Sequence, residues 1–284
     1  MNPVLHAIRL GGSRGWIEFK QQLTSAQDMG FTVVSTVALI VVLYFQRDAK
    51  LPGTELSLAA ATLPGTVALM LPVNALMGAV GALSVEREDG TLLRAKAMPQ
   101  GMIGYLAGRI VSLSISTLGA AVLMLAAGLL LVPGVLGIGP GDWLTIAWVG
   151  LLGLLSSLTI GAIIGSLARS PQGAAGLSML TVSGLTAISG IFYPISALAG
   201  WLQVLAQAFP LYWLGLGMRS ALLPDAAAAA EIGGSWRPVE TTLVLLVWAV
   251  AGLLAAPPIL RRMAGRESGS AMEERRHRAM QRVT

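Results

Sequence analysis

The 284 residues are 55% hydrophobic and only 12% charged, a composition that excludes a soluble domain and is typical of a membrane protein with several spans. The absence of cysteine excludes disulfides, thiol catalysis and thiolate metal sites, and two histidines leave little material for any other metal centre. The net charge of +5 follows from the membrane topology argued below, so it does not indicate a nucleic-acid partner.

Residues 1–29 mix charged and apolar side chains. Trp16, Phe19 and Leu23 recur at helical spacing, opposite Glu18 and Lys20. This pattern predicts an amphipathic helix on the cytoplasmic membrane surface, because Trp and Lys suit the depth of lipid headgroups. A helix packed on a soluble partner is the alternative.

The region 30–260 predicts an all-α, polytopic domain with six membrane-spanning helices. Their predicted ranges are 30–45, 56–85, 105–132, 143–168, 171–193 and 241–260. Pro64 and Pro72 each remove a backbone donor from the second span, which predicts kinks or a helix that begins near Pro64. Asn74 in the same span needs a hydrogen-bond partner, and a neighbouring helix is favoured over a substrate.

Residues 170–218 contain no charge, and their length suits two apolar segments rather than one helix. Aromatic and proline residues gather in the second part, where they favour a re-entrant hairpin over a plain span. We therefore predict that 195–218 re-enters the membrane from the outer side, between spans five and six. The residues that mark this outer segment are Phe192, Tyr193, Pro194, Trp201 and Pro210.

The distribution of lysine and arginine predicts the orientation. With six spans and both termini inside, 15 of the 19 basic residues are cytoplasmic, seven of them in the tail 261–284. A seventh span through 195–218 would put that tail outside, against the positive-inside rule. We expect a multi-pass protein of a bacterial-type inner membrane with both termini in the cytoplasm.

A charged segment, 86–99, separates two long uncharged stretches, Leu56 to Val85 and Ile110 to Gly141. Leu92 and Met98 give it an apolar side, and Gly90 supplies a bend where the chain leaves the membrane. The pattern predicts a short amphipathic helix at the cytoplasmic surface. From the segment alone, an ordinary solvated loop is an equal alternative.

Several kinds of chemistry are missing from the sequence. Few ionisable residues lie at bilayer depth, which argues against an ion-driven transporter. No Gly-x-x-x-x-Gly-Lys-Ser/Thr motif is present to bind nucleotide phosphates. Glu273, Glu274 and Arg278 match a signature of intramembrane prenyl-protein proteases, but His6 and His277 both lie outside the spans. We therefore expect a chain that is not itself an enzyme, with no catalytic residue, bound cofactor or metal.

The charged segment resembles a motif of a known family. Glu86-Arg-Glu-Asp-Gly-Thr-Leu92, directly after a long second span, is similar to the Glu-Arg-Glu-x-Gly-Thr segment of type-2 ABC export permeases, which include antibiotic-resistance and polysaccharide exporters. The resemblance extends over nearly the whole chain, through the amphipathic N-terminal helix and the six spans. It also includes the outer segments Gly190-Ile-Phe-Tyr-Pro194, Trp201-Leu-Gln203 and Phe209-Pro-Leu-Tyr212.

The resemblance implies a transmembrane subunit that pairs with a second copy of itself or a related permease. Two separate cytoplasmic ATPase subunits would use ATP and Mg, and membrane lipids would surround the complex. The segment 86–99 would be the coupling helix, inserted into a groove of the ATPase, with Leu92 and Met98 as apolar anchors. The residues implied in ATPase coupling are Glu86, Arg87, Glu88, Gly90, Thr91, Leu92 and Met98.

The substrate is less well defined by the sequence. The apolar second span offers Met70, Asn74 and Met77 as a candidate substrate path, although core packing explains the methionines equally well. Only 6% of residues are aromatic, which disfavours a polysaccharide and slightly favours a hydrophobic small molecule, drug or lipid. The alternative from another functional class is a membrane scaffold without transport. An importer permease is a weaker third, because the usual Glu-Ala-Ala loop is absent.

Overall fold

The computed structural model describes residues 2–50, 57–88, 90–132, 138–167 and 171–266. These residues are helical, apart from turns and one isolated β-bridge between Lys50 and Ser57, so the predicted all-α class is confirmed. Within these ranges the ten α-helices are α1 (Pro3–Thr24), α2 (Ala26–Gln46), α3 (Leu58–Glu88), α4 (Thr91–Ala97), α5 (Gly101–Leu131), α6 (Pro140–Leu167), α7 (Pro171–Ile188), α8 (Gly200–Ala208), α9 (Pro210–Leu222) and α10 (Pro238–Arg266).

Four helical stretches in the described ranges are long and apolar enough to cross a membrane. They are Leu58–Leu83, Gly101–Leu131, Pro140–Leu158 and Pro238–Ile259, which correspond to the predicted second, third, fourth and last spans. In α2, the stretch Val33–Gln46 is apolar but shorter than these four, and α7 has only 18 residues. The structure therefore supports a multi-pass protein, while the first and fifth spans stay predictions.

Helix α3 differs from the expectation at its start. It begins at Leu58 and continues through both Pro64 and Pro72, so the prediction of a helix beginning near Pro64 is wrong. Such prolines are tolerated in membrane helices where neighbouring chain packs closely around them. Packing is close here, because a Cβ added to Gly65 would lie 2.5 Å from the carbonyl oxygen of Ile191.

The largest buried cluster lies where α3, α6 and α9 meet. Almost every residue of α9 is buried, including Tyr212 and Leu214. A Cβ on Gly153 of α6 would overlap the side chain of Leu214, and one on Gly217 would lie 2.7 Å from Val149. Small residues thus allow α9 to sit directly against α6, as in helix pairs within membranes.

Residues 195–218 form a helix, a break and a second helix. A single turn of 3₁₀-helix, Ile195–Ala197, leads into α8, and the chain turns at Phe209 into α9. Trp201 on α8 is 69% exposed, whereas Pro210 at the start of α9 is buried. This shape suits a hairpin, and its re-entry from the outer side stays a prediction. The basic tail beyond Arg266 lies outside the described residues.

Candidate functional site

Helix α1 packs on the first part of α5 through glycine. A Cβ on Gly11 would overlap the carbonyl oxygen of Gly104, and one on Gly15 would overlap that of Gly108. The two backbones are therefore in direct contact, a spacing that larger residues would prevent. The paired Gly-x-x-x-Gly spacing on the two helices was present in the sequence, and our sequence analysis missed it.

The outward face of α1 exposes apolar side chains among polar ones. Trp16 and Ile17 are about half exposed, and Lys20 lies 5.5 Å from the centre of the Trp16 ring. An amphipathic helix with exposed aromatic and aliphatic side chains suits the membrane interface. The described helix α1 exposes these apolar side chains and is fixed to the bundle through its glycine face, while the interfacial role of residues 1–29 stays a prediction.

Glu86, in the last turn of α3, is the centre of a buried group of charges. Its side chain is 9% exposed, and Oε1 lies 2.6 Å from Nη2 of Arg109 on α5. The Tyr105 hydroxyl donates a 2.6 Å hydrogen bond to the other carboxylate oxygen of Glu86. Charge-assisted hydrogen bonds of this length are among the stronger polar contacts in proteins.

Helix α1 completes this group. Arg14 donates to Oε1 of Glu18 at 2.7 Å and to Oε1 of Glu86 at 3.3 Å. Nη1 of Arg109 lies 3.6 Å from Oε2 of Glu18. The charges of the two carboxylates and two guanidinium groups therefore balance, which offsets the cost of removing Glu86, Glu18 and Arg109 from water, while Arg14 stays 43% exposed. We call these five residues, Arg14, Glu18, Glu86, Tyr105 and Arg109, the Glu86 cluster; it ties α1, α3 and α5 together.

Helix α4 is folded back against the same end of the bundle. Gly90 has φ 76° and ψ 8°, a left-handed conformation that favours glycine. Leu92 and Ala95 are buried in an apolar cluster with Leu83, Met102 and Tyr105. Tyr105 thus belongs to both groups: its ring packs under α4 and its hydroxyl reaches Glu86.

The structure divides the predicted coupling segment into two parts. Glu86 and Glu88 belong to α3, and the separate helix α4 covers only Thr91–Ala97. Leu92 is 1% exposed, so it packs within this chain instead of presenting an anchor. Met98 is 57% exposed, and its role as an anchor stays a prediction. The side chains of Arg87 and Glu88 lie outside the described part of the structure.

The candidate substrate residues on α3 have different surroundings. Met70 is buried in the main core, which favours a packing role. Asn74 and Met77 are half-buried, about one turn apart near the middle of α3. The predicted helix-borne partner for the Asn74 amide is not found among the hydrogen bonds of the described residues.

A second buried charge group, which the sequence analysis missed, lies at the C-terminal end of α9. Nε of Arg219 contacts Glu231 Oε1 at 2.6 Å, and Nη1 donates to the Gly190 carbonyl at 3.2 Å. Both side chains are about nine-tenths buried. Arg219 thereby joins α9 to the turn after α7 and to the loop before α10.

Arg237 makes a further link in this region. Its guanidinium binds the Gln207 side chain at 3.0 Å and the Tyr212 hydroxyl at 2.5 Å, and it lies over the ring of Trp213. Of the predicted outer residues, Phe192 is 53% exposed, and Tyr193 donates a hydrogen bond to the Ala187 carbonyl.

Comparison with known proteins places this architecture in a family. A family model described as ABC-2 type transporter matches residues 7–223, about three-quarters of the chain. This match includes α1, the Glu86 cluster, α4 and the helices through α9. A comparison with curated proteins gave no significant match. Members of this family generally work with a cytoplasmic ATPase subunit. The chain belongs to the ABC-2 type transporter family and is a multi-pass permease subunit of an ABC transporter.

Proposed function

We propose that this permease exports a hydrophobic small molecule, drug or lipid-like substrate, driven by ATP hydrolysis in separate subunits. The ATPase would dock at the end of the bundle that carries α1 and α4. The observation that supports this docking end is the Glu86 cluster, which connects the segment around α4 to three helices. ATP and Mg would be used by the partner, and this chain would bind neither.

The arrangement around α4 suits the transmission of force. Helix α4 lies between α3 and α5 in the chain, and buried Leu92 holds it against both. Glu86 then connects the end of α3 to α5 and α1 through ion pairs. A displacement of α4 by a closing ATPase would therefore move these helices together, as a rigid-body change. The exposed Met98 side chain is our candidate contact with the ATPase.

The complex would contain two permeases and two ATPases. The second permease would be another copy of this chain or a related one, in a bacterial-type inner membrane with both termini cytoplasmic. Helix α7 supports a partner within the membrane, since Met179 and Leu180 are 61% and 72% exposed on an apolar helix. Six spans and a re-entrant outer hairpin complete the proposed topology.

Asn74 and Met77 are our candidates for the substrate path. An amide near the middle of a membrane helix is costly when it lacks a partner, so it favours contact with a substrate or a second permease. Its apolar surroundings favour a hydrophobic substrate over a sugar polymer. Met70 is less suitable, because it is buried in the core.

The test is assembly and ATP turnover with the cognate ATPase in nanodiscs. We compare wild type with Met98→Asp, which places a charge at the proposed contact, and with Gly90→Pro, which forbids the left-handed turn before α4. Asp48→Ala serves as the control, since this residue is 83% exposed and pairs only with neighbouring Arg47 among the described contacts. We expect both variants to lose coupled turnover while the control keeps it.

Three results would contradict the proposal. Wild type that binds no ATPase, or variants that couple as well as wild type, would rule out α4 as the coupling element. Assembly without any nucleotide-dependent movement of a substrate would favour the alternative of a non-transporting membrane scaffold.

A further inference from the structure

An apolar cavity of about 430 Å³ lies at the end of the bundle that carries the Glu86 cluster. Its walls come from four helices that can cross a membrane, α3, α5, α6 and α10, and from α1. The size is within the range of small-ligand sites in proteins. It differs from the candidate substrate path, since neither Asn74 nor Met77 lines it.

The lining leaves few polar groups for a ligand. Tyr105 and Arg109 are its polar side chains, and both direct hydrogen bonds to Glu86. The remaining walls are aliphatic, for example Leu83, Leu158 and Ala256. Such a cavity binds hydrocarbon, because apolar ligand surface gains from leaving water whereas a polar ligand would lose its hydrogen bonds.

The cavity opens between α1 and α10. Ile8 on α1 is 45% exposed and Leu253 on α10 is 44% exposed, yet both belong to its lining, so they form the rim. α1 carries an exposed apolar face suited to the membrane interface, and α10 is a candidate span. The opening therefore faces the acyl-chain region just below the headgroups.

The charge that follows the rim residue Ile8 on α1 indicates which amphiphile fits. Arg9 directly follows Ile8, is exposed, and makes no ion pair with any described residue. An exposed guanidinium on the helix that carries the rim residue Ile8 attracts an anionic headgroup. We propose that this cavity holds one acyl chain of an anionic phospholipid from the surrounding bilayer, with the lipid phosphate at Arg9. This proposal requires only that the chain inserts in a membrane, so its test does not depend on ATPase coupling.

The test uses photoactivatable lipids on the full chain in phosphatidylcholine vesicles. Trace phosphatidylglycerol or trace phosphatidylcholine, each with a diazirine in the same acyl chain, is crosslinked to the protein and the labelled peptides are mapped. Labelling of the exposed α2 surface around Val34, which is 69% exposed, gives the general lipid background. We expect labelling around the cavity to exceed this background, and to be several-fold stronger with phosphatidylglycerol.

The variants locate the site. Ala256→Phe should fill the cavity and reduce its labelling several-fold. Ala251→Phe, the same change at an exposed position of α10 outside the lining, should leave labelling unchanged. Arg9→Ala should remove the preference for phosphatidylglycerol. If Ala256→Phe does not fold, Leu253→Trp is tested in its place. This change is at an exposed position and blocks the rim of the cavity.

Three outcomes would overturn the proposal. They are labelling at the background level, equal labelling of the filled and wild-type cavities, and equal labelling by the two lipids in wild type.

Discussion

Arg109 on α5 and Glu86 on α3 form a 2.6 Å ion pair in a part of the molecule where both side chains are largely buried, 16% and 9% exposed. Tyr105 and Arg14 each donate a further hydrogen bond to the Glu86 carboxylate. A buried charge with this number of partners fixes the relative position of the helices that carry it. The ends of α1, α3 and α5 should therefore move as one unit.

Replacing Glu86 with Gln should destabilise the permease strongly. The change removes the nearer carboxylate of the largely buried Arg109, which keeps only Glu18, at 3.6 Å, as an anionic partner among its described contacts. Breaking a buried pair costs about 3–5 kcal/mol when no partner is left, so we expect a loss near the lower end of this range. Thermal unfolding in detergent, followed by size-exclusion chromatography, measures the effect. The control is Asp48→Asn, which alters an exposed ion pair and should leave the melting temperature unchanged.

A double variant distinguishes an ion pair from simple packing. Glu86→Gln with Arg109→Gln removes both charges, so it should lose less stability than the sum of the two single changes. Additive losses in this cycle would contradict the coupling that we infer between the two residues.

The contact between Gly11 and Gly104 gives a second prediction. Gly11→Leu should separate α1 from α5, because a Cβ there already overlaps the Gly104 carbonyl. Overpacking of this kind costs about 1–3 kcal/mol. Trypsin digestion of the protein in nanodiscs should then cleave faster after Arg14 and Lys20, since the loosened helix exposes both bonds.

Gly12→Leu is the matched control for this change. Nothing lies within 4 Å of a Cβ built on Gly12, so the same side chain has room there. Equal digestion rates for the two variants would show that the glycine face does not hold α1 in place.

The sequence predicted the helical class and the position of most helices, because uncharged stretches between charged segments determine where a chain can cross a membrane. It also identified Glu86 to Met98 as the distinctive segment. It did not predict that Glu86 and Leu92 are buried, since an amphipathic pattern does not tell whether the apolar face meets a partner or the same chain. The contacts of Arg14 with Glu86 and of Arg219 with Glu231 were also missed, because helical periodicity does not locate a partner on another segment of the chain.

Arg219 gives the last prediction, on the other charge group. Arg219→Ala removes the cation that contacts the buried Glu231 carboxylate among the described residues. It also removes the hydrogen bond to the Gly190 carbonyl. Loss of one partner of a buried pair costs about 3–5 kcal/mol, so the melting temperature should fall clearly. Arg219→Ala combined with Glu231→Gln should recover part of the loss, since the unpaired carboxylate is then gone. Arg47→Ala, in an exposed pair, should melt like wild type. If Arg219→Ala also melts like wild type, the link between α9, the turn after α7 and the loop before α10 does not stabilise this end of the permease.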